Sequence, residues 1–204
     1  MGRHEMDDRM QNSKQFTLST RLIHLALAST IIVQLMTSLW MEKPKNGQEG
    51  NWFFEIHEYS GLLALGFAFT FWLVMILRRK GTPFGLLFPW LVAQRRLALW
   101  RDLKTHFHHI LKRHLPDYSA ESPLASAVHG LGLLLILLMS MTGGLYYLAL
   151  NLALTKSVWA ELVIETHEIF STFVWVYLIA HSVLGILHHY LHNKSLANML
   201  SIRP

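Results

Sequence analysis

The sequence predicts an all-α membrane protein built on a four-helix transmembrane bundle. Two features carry this prediction: hydrophobic residues make up 52% of the 204 residues and charged residues only 15%, and four apolar stretches are each long enough to span a bilayer. A spanning helix needs about 20 such residues, because each adds about 1.5 Å. We expect residues 1–204 to form a single integral-membrane domain, with an amphipathic cytoplasmic interfacial helix between the second and third spans.

The predicted spans are 18–40, 52–77, 124–150 and 162–187. Mostly polar residues precede the first span and no small-residue cleavage site follows it, so we expect no cleaved signal peptide. Fifteen of the 18 Lys and Arg residues lie in the two terminal segments and in the second connection, 78–123. Because positive charge concentrates on the cytoplasmic side, we expect both termini to be cytoplasmic.

The connection 78–123 has two distinct parts. Residues 84–91 are apolar but interrupted by Gly85 and Pro89, so we expect them to dip into the interface rather than to cross. Residues 98–115 combine basic side chains with apolar ones at three- and four-residue intervals, namely Leu99, Leu103, Phe107, Ile110 and Leu111. This pattern predicts a basic amphipathic helix on the inner leaflet, and a docking surface for a cytoplasmic subunit is the alternative.

The absence of cysteine excludes a disulfide scaffold, thiolate-ligated iron–sulfur clusters, a zinc ribbon and a thiol enzyme. Redox chemistry would therefore depend on a cofactor held by other side chains. The net charge of +5 does not indicate a nucleic-acid partner, because the basic residues lie beside the apolar stretches. The expected partner is the lipid bilayer.

Five of the 13 histidines fall within or at the ends of the predicted spans: His24, His57, His129, His167 and His181. Ionisable groups in membrane helices are costly and usually functional. In the predicted topology His24 matches His181 in depth near the cytoplasmic face, and His57 matches His167 near the periplasmic face. Fourteen residues separate His167 from His181, about 21 Å along a helix with a net rotation of about 40°. Two pairs at two depths are what two stacked bis-histidine b-type haems require.

Two further residues are expected near the cytoplasmic haem. His129 shares the depth of His24 and competes with it as a ligand; we favour His24, which leaves His129 to exchange protons with a quinone. Arg21 lies one turn before His24, where it can pair with a haem propionate or border the same quinone site, although a plain positive-inside anchor is the alternative. His188, His189 and His192 form a weak candidate metal site.

Three segments of the chain resemble the bacterial cytochrome b561 family: Thr20 to His24, His57 to Gly61, and the run from His167 to Leu200. The resemblance covers all four spans. It implies two b haems in a bacterial inner-membrane protein, one on His24 and His181 and the other on His57 and His167. The bundle is also similar to the cytochrome b subunits of nickel-iron hydrogenases and formate dehydrogenases. The length of the basic second connection resembles those subunits more than the compact stand-alone members of the family.

The predicted function is transmembrane electron transfer. Two roles of this kind are candidates, and a third candidate belongs to a different class. The first is an oxidoreductase that links a quinone, ubiquinone or menaquinone, to a periplasmic partner. The second is a haem-bearing anchor subunit of a larger respiratory complex. The third, a haem-free metal-ion transporter, is disfavoured by the paired depths and by the absence of Asp from the predicted spans.

The expected periplasmic segments carry seven glutamates and three lysines, a sum of −4. A negative face repels superoxide, which some members of the family oxidise. It favours a basic redox protein such as a c-type cytochrome.

Overall fold

The computed structural model describes residues 17–44, 49–77, 86–112 and 122–192. Within these ranges the chain forms five α-helices and one short 3-10 helix, Pro89–Leu91. The α-helices are α1 Leu18–Ser38, α2 Trp52–Leu77, α3 Ala93–Leu111, α4 Pro123–Asn151 and α5 Val158–His192. The predicted all-α class, with an additional helix between the second and third spans, is confirmed.

Four of these helices are long and apolar enough to cross a membrane: α1, α2, α4 and residues Val158–Leu187 of α5. They match the predicted spans, with differences at the ends. The helix α1 ends two residues before the predicted boundary, and α5 begins four residues earlier and continues to His192. The helical hydrogen-bond ladder of α5 does not stop where the hydrophobic run stops, because each added residue gains a backbone hydrogen bond even in a polar sequence.

Side-chain caps explain where three of the helices begin. In each case an oxygen of the residue before the helix accepts a hydrogen bond from the backbone N–H three residues later. The caps are Thr17 for α1 at 3.3 Å, Asn51 for α2 at 3.1 Å and Ser122 for α4 at 3.2 Å. In α4 the cap is followed by Pro123, whose missing N–H costs nothing in the first helical position.

Most of the apolar surface of the spanning helices faces outward. Of the residues in the most hydrophobic stretch of each helix, 33% are buried in α4 and only 6% in α5. Contiguous exposed apolar surface of this extent needs a non-aqueous environment. The chain is a multi-pass membrane protein whose outward-facing side chains contact lipid.

The chain divides into two compact units. One unit consists of Leu22–Val74 and Leu134–Ala180. Its interior includes four alanines that are at most 2% exposed: Ala64, Ala68, Ala149 and Ala160. Small side chains let helix backbones approach closely, as is common in membrane helix packing. This unit contains His24, His57 and His167.

The described part of the other unit comprises residues 17–21, 75–77, 86–112, 122–133 and 181–192. Here Leu87, Phe88 and Pro89 are buried by the chain itself. A Cβ added at Gly130 would lie 2.1 Å from the Leu87 carbonyl oxygen, so α4 can take only glycine at this close approach. As expected, the segment 84–91 forms no spanning helix in its described part, residues 86–91. Its buried apolar residues pack against the protein, however, and residues 84 and 85 lie outside the described residues.

The amphipathic helix predicted over 98–115 is α3, which begins and ends earlier, at Ala93 and Leu111. Its exposed apolar side chains are Leu97, Trp100, Leu103, Phe107 and Leu111. Leu99 lies on the half-buried side instead. The helix therefore presents one apolar face outward and another face toward its own unit.

Asp102 ties α3 to the start of α4. Its carboxylate accepts hydrogen bonds from Ser122 Oγ at 2.5 Å and from the Leu124 backbone N–H at 3.1 Å. A carboxylate is favourable there because the N-terminus of a helix carries partial positive charge. His106 Nδ1 lies 3.0 Å from the other carboxylate oxygen, so the acid is held from both helices.

Candidate functional site

His57 on α2 and His167 on α5 form the centre of the site. Their imidazole centroids are 6.3 Å apart and their ring planes cross at 83°. A metal–imidazole bond is about 2 Å long, and the centroid lies about 1 Å beyond the nitrogen, so two imidazoles on opposite sides of one metal have centroids roughly 6 Å apart. At this separation both imidazoles would be able to bind the same iron.

The Nδ1 atom of His57 is held by α1. It lies 3.1 Å from the Gln34 carbonyl oxygen and 3.2 Å from Thr37 Oγ1. A carbonyl can only accept a hydrogen bond, so Nδ1 must carry the proton. The lone pair of His57 is then on Nε2, the nitrogen that remains for a metal.

The Nδ1 atom of His167 is held in the same way by α4. It lies 2.9 Å from Thr142 Oγ1, and that hydroxyl also lies 2.8 Å from the Leu138 carbonyl and 3.0 Å from the Met139 carbonyl. The single hydroxyl hydrogen goes to a backbone carbonyl, so Oγ1 accepts from His167. His167 therefore also keeps its lone pair on Nε2.

A cavity of about 430 Å³ lies at these two histidines, within the unit formed by Leu22–Val74 and Leu134–Ala180. This volume is in the range of pockets that hold organic ligands, about 300–1,000 Å³. Gly61 and Gly143 both line it, and a Cβ at Gly143 would lie 3.2 Å from His167 Cε1. Glycine at position 143 leaves the imidazole its space beside α4.

One ion pair lies at the same cavity. Lys43, which follows α1, pairs with Glu168, the residue after His167 on α5. Both side chains are partly exposed, and such pairs contribute little to stability. Lys43 places a positive charge at the cavity, and Glu58 and Glu168 add two carboxylates.

The haem b expected from the sequence passes a test of fit at this site. Two imidazoles with unprotonated Nε2 atoms line a largely apolar cavity, and Lys43, paired with Glu168, is a cation at the same cavity. Among the residues that the structure describes, no group of three or more His, Cys, Asp or Glu side chains could hold a bare metal ion. A haem needs only two ligands from the protein, because the porphyrin itself supplies four nitrogens to the iron, and two histidines are what this site offers.

The remaining span histidines are arranged differently from the prediction. The imidazole of His181 lies 5.6 Å, centroid to centroid, from that of His129, with the planes at 82°. His24 is half-buried, with its ring centroid 6.3 Å from that of Phe71. The structure thus brings together His181 and His129, the competitor of His24, while the pairing of His24 with His181 stays a prediction.

The other candidate residues are placed as follows. Arg21 lies in the first turn of α1, one turn before His24, and its backbone N–H donates to the Thr17 carbonyl at 3.1 Å. Of the candidate metal site at the end of α5, the side chains of His188 and His192 lie outside the described residues.

The residues that contact the Nδ1 atoms of His57 and His167 are not among those singled out from the sequence. Gln34 has a second contact with α2, because its Nε2 donates to Ser60 Oγ at 2.6 Å and also to the His57 backbone carbonyl. Thr37 and Thr142 were not singled out either. A signal does exist in the sequence: a Met-Thr pair occurs at 36–37 in the first span and again at 141–142 in the third, one span before His57 and one span before His167.

A family profile described as prokaryotic cytochrome b561 matches residues 15–201. No curated protein and no solved structure matches the chain.

Proposed function

Because this chain belongs to the prokaryotic cytochrome b561 family, whose function is electron transfer by haem b in membranes, we propose that it links a quinone pool to a periplasmic redox protein. The proposal uses two haems, each held by two histidines. His57 and His167 hold one of them, and His24 and His181 hold the other. Both termini then lie in the cytoplasm of a bacterium, and the protein in its inner membrane.

The His57–His167 geometry carries the proposal. The imidazoles from α2 and α5 have their centroids 6.3 Å apart, and both are held through Nδ1 by a neighbouring helix. When bound, haem b supplies an iron that accepts and donates one electron. The protein fixes the ring orientation and excludes water with apolar residues, and Lys43 and Glu168 form an ion pair at the same cavity.

The second haem rests on the position of His181. Fourteen residues of the continuous helix α5 separate it from His167, about 21 Å along the axis. Such a spacing suits two sites at different depths. We assign His24 as its partner and His129, which is exposed and lies beside His181, as the group that exchanges protons with quinone.

The quinone link is tested by reduction of the protein with a short-chain quinol in stopped flow. We expect His129→Ala to slow haem reduction at least about tenfold with the haem content unchanged, since a positioned proton acceptor contributes this much or more. Arg21→Ala should also slow it, because the guanidinium borders the same proposed site and can donate hydrogen bonds to a quinone oxygen. His108→Ala, an exposed histidine of α3, is the matched control. Wild-type rates in both variants would remove the proposed quinone site.

The partner on the periplasmic side is proposed from charge. The segments assigned to that side carry seven glutamates and three lysines. A net negative face attracts a basic protein and repels an anion. This favours a protein such as a c-type cytochrome over superoxide.

The salt dependence of electron exchange checks this assignment. With a basic cytochrome c as the probe, we expect the second-order rate to fall as ionic strength rises, because charges are screened within about 10 Å at 0.1 M salt. Glu161→Gln should weaken the dependence. A rate with cytochrome c that is unaffected by salt, or a superoxide reaction that is fast and falls with salt, would contradict it.

A further inference from the structure

The two histidines of the cavity are supported by the same device, repeated on two helices. In α1 the device is the Gln34 carbonyl together with Thr37 Oγ1, three residues later, and both contact His57 Nδ1. In α4 it is Thr142 Oγ1, which contacts His167 Nδ1 and lies 3.0 Å from the Met139 carbonyl three residues earlier. Each ligand helix is thus served by the helix that precedes it in the chain.

The threonine hydroxyls in this device have their own hydrogen committed. Thr37 Oγ1 lies 2.8 Å from the Val33 carbonyl, and Thr142 Oγ1 lies 2.8 Å from the Leu138 carbonyl. Both contacts span four residues of helix, the usual way in which a helical threonine bonds its own backbone. With the hydrogen used there, each oxygen can only accept from imidazole.

We infer that Thr37 and Thr142 are positioning residues that hold His57 and His167 in the tautomer with Nε2 unprotonated and set the reduction potential of the haem between them. The inference rests on the proposed function, since it needs both histidines to be ligands. An acceptor at Nδ1–H makes imidazole a stronger electron donor, which favours the oxidised iron. Removal of the acceptor should therefore raise the potential.

Valine and serine substitutions separate this role from simple packing. Thr142→Val keeps the shape of the side chain and removes the oxygen, whereas Thr142→Ser keeps the oxygen and removes the methyl group. The side chains of Thr37 and Thr142 are both buried in the wild type, so a substitution that loses packing there also costs stability. If the hydrogen bond matters, Val changes the potential and Ser does not; if packing matters, the order is reversed.

The experiment is a spectroelectrochemical titration of the purified haem-loaded protein. We expect Thr142→Val to raise the reduced-to-oxidised ratio of one haem about threefold or more at fixed ambient potential, the effect of one typical hydrogen bond. Thr37→Val should act on the same haem but less, because its contact is longer, at 3.2 Å against 2.9 Å. Thr166→Val is the matched control, since Thr166 Oγ1 bonds the Leu162 carbonyl of its own helix.

The outcomes are distinct. A shift of one haem in both valine variants, with Ser and the control unchanged, supports the inference. Wild-type potentials in Thr142→Val and Thr37→Val, in a protein that loses a haem on His57→Ala, would overturn the inference and leave the proposed function intact. Retention of both haems in His57→Ala and His167→Ala would overturn both.

Discussion

Purified His57→Ala and His167→Ala proteins are each expected to contain half of the haem found in the wild type. Each change removes one of the two histidines proposed to hold the same haem, and a site built for two imidazoles binds its haem less tightly when one is lost. The 6.3 Å separation of the two rings is the reason to expect a shared loss. The double variant should lose no more haem than either single variant, because the two effects act on one site.

Controls for this result are present in the chain. His108→Ala changes an exposed histidine of α3 and should leave the haem content as in the wild type. Glycine in place of His57, with imidazole added to the buffer, should restore the missing absorption if the fold is intact. Loss of different haems in His57→Ala and His167→Ala would contradict the assignment.

The second large effect is expected at the other end of α5. His181→Ala should remove the haem that His57→Ala retains, since His181 lies fourteen residues from His167 on a continuous helix. His24→Ala should remove the same haem, and His129→Ala should keep both. The measurement is the pyridine haemochrome content of each variant, with reduced-haem spectra to identify which haem is lost.

This second prediction also decides between two partners for His181. The imidazole of His129 lies 5.6 Å from that of His181. If His129→Ala loses the haem and His24→Ala keeps it, then His129 is the ligand and our assignment of His24 is wrong. In that case the proposed role of His129 in proton exchange with quinone is also wrong.

The spans were predictable because hydrophobic length is a local property. An uninterrupted apolar stretch such as 52–77 permits few alternatives to a spanning helix, and the structure gives the same bounds for α2. The ends of α5 were less predictable. Its last turns contain His189 and Tyr190, which do not look like membrane residues, yet the helix continues through them because its backbone hydrogen bonds do not depend on that character.

The proximity of His57 and His167 could be predicted from depth alone, since both lie about a turn from the same predicted membrane face. Depth could not decide between His24 and His129, because the choice depends on how each helix is rotated about its axis. The roles of Thr37 and Thr142 were hidden for a related reason. A threonine in an apolar helix usually bonds its own backbone, as both of these do, and only the packing of helix pairs adds a histidine to the same oxygen.

The close approach at Gly130 was hidden too. From the sequence, its glycine is compatible with room for a haem or with helix packing, and packing is the more common reason for a small residue in a membrane helix. The structure assigns it to packing, because the Leu87 carbonyl occupies the space that a Cβ would need. A contact with a segment more than forty residues away has no local signature.

The most direct test of the account is the haem content of the wild-type protein purified in mild detergent. We predict two b-type haems per chain by the pyridine haemochrome assay, with no covalent attachment, since the chain has no cysteine. One haem or fewer per chain in fully loaded protein would contradict it.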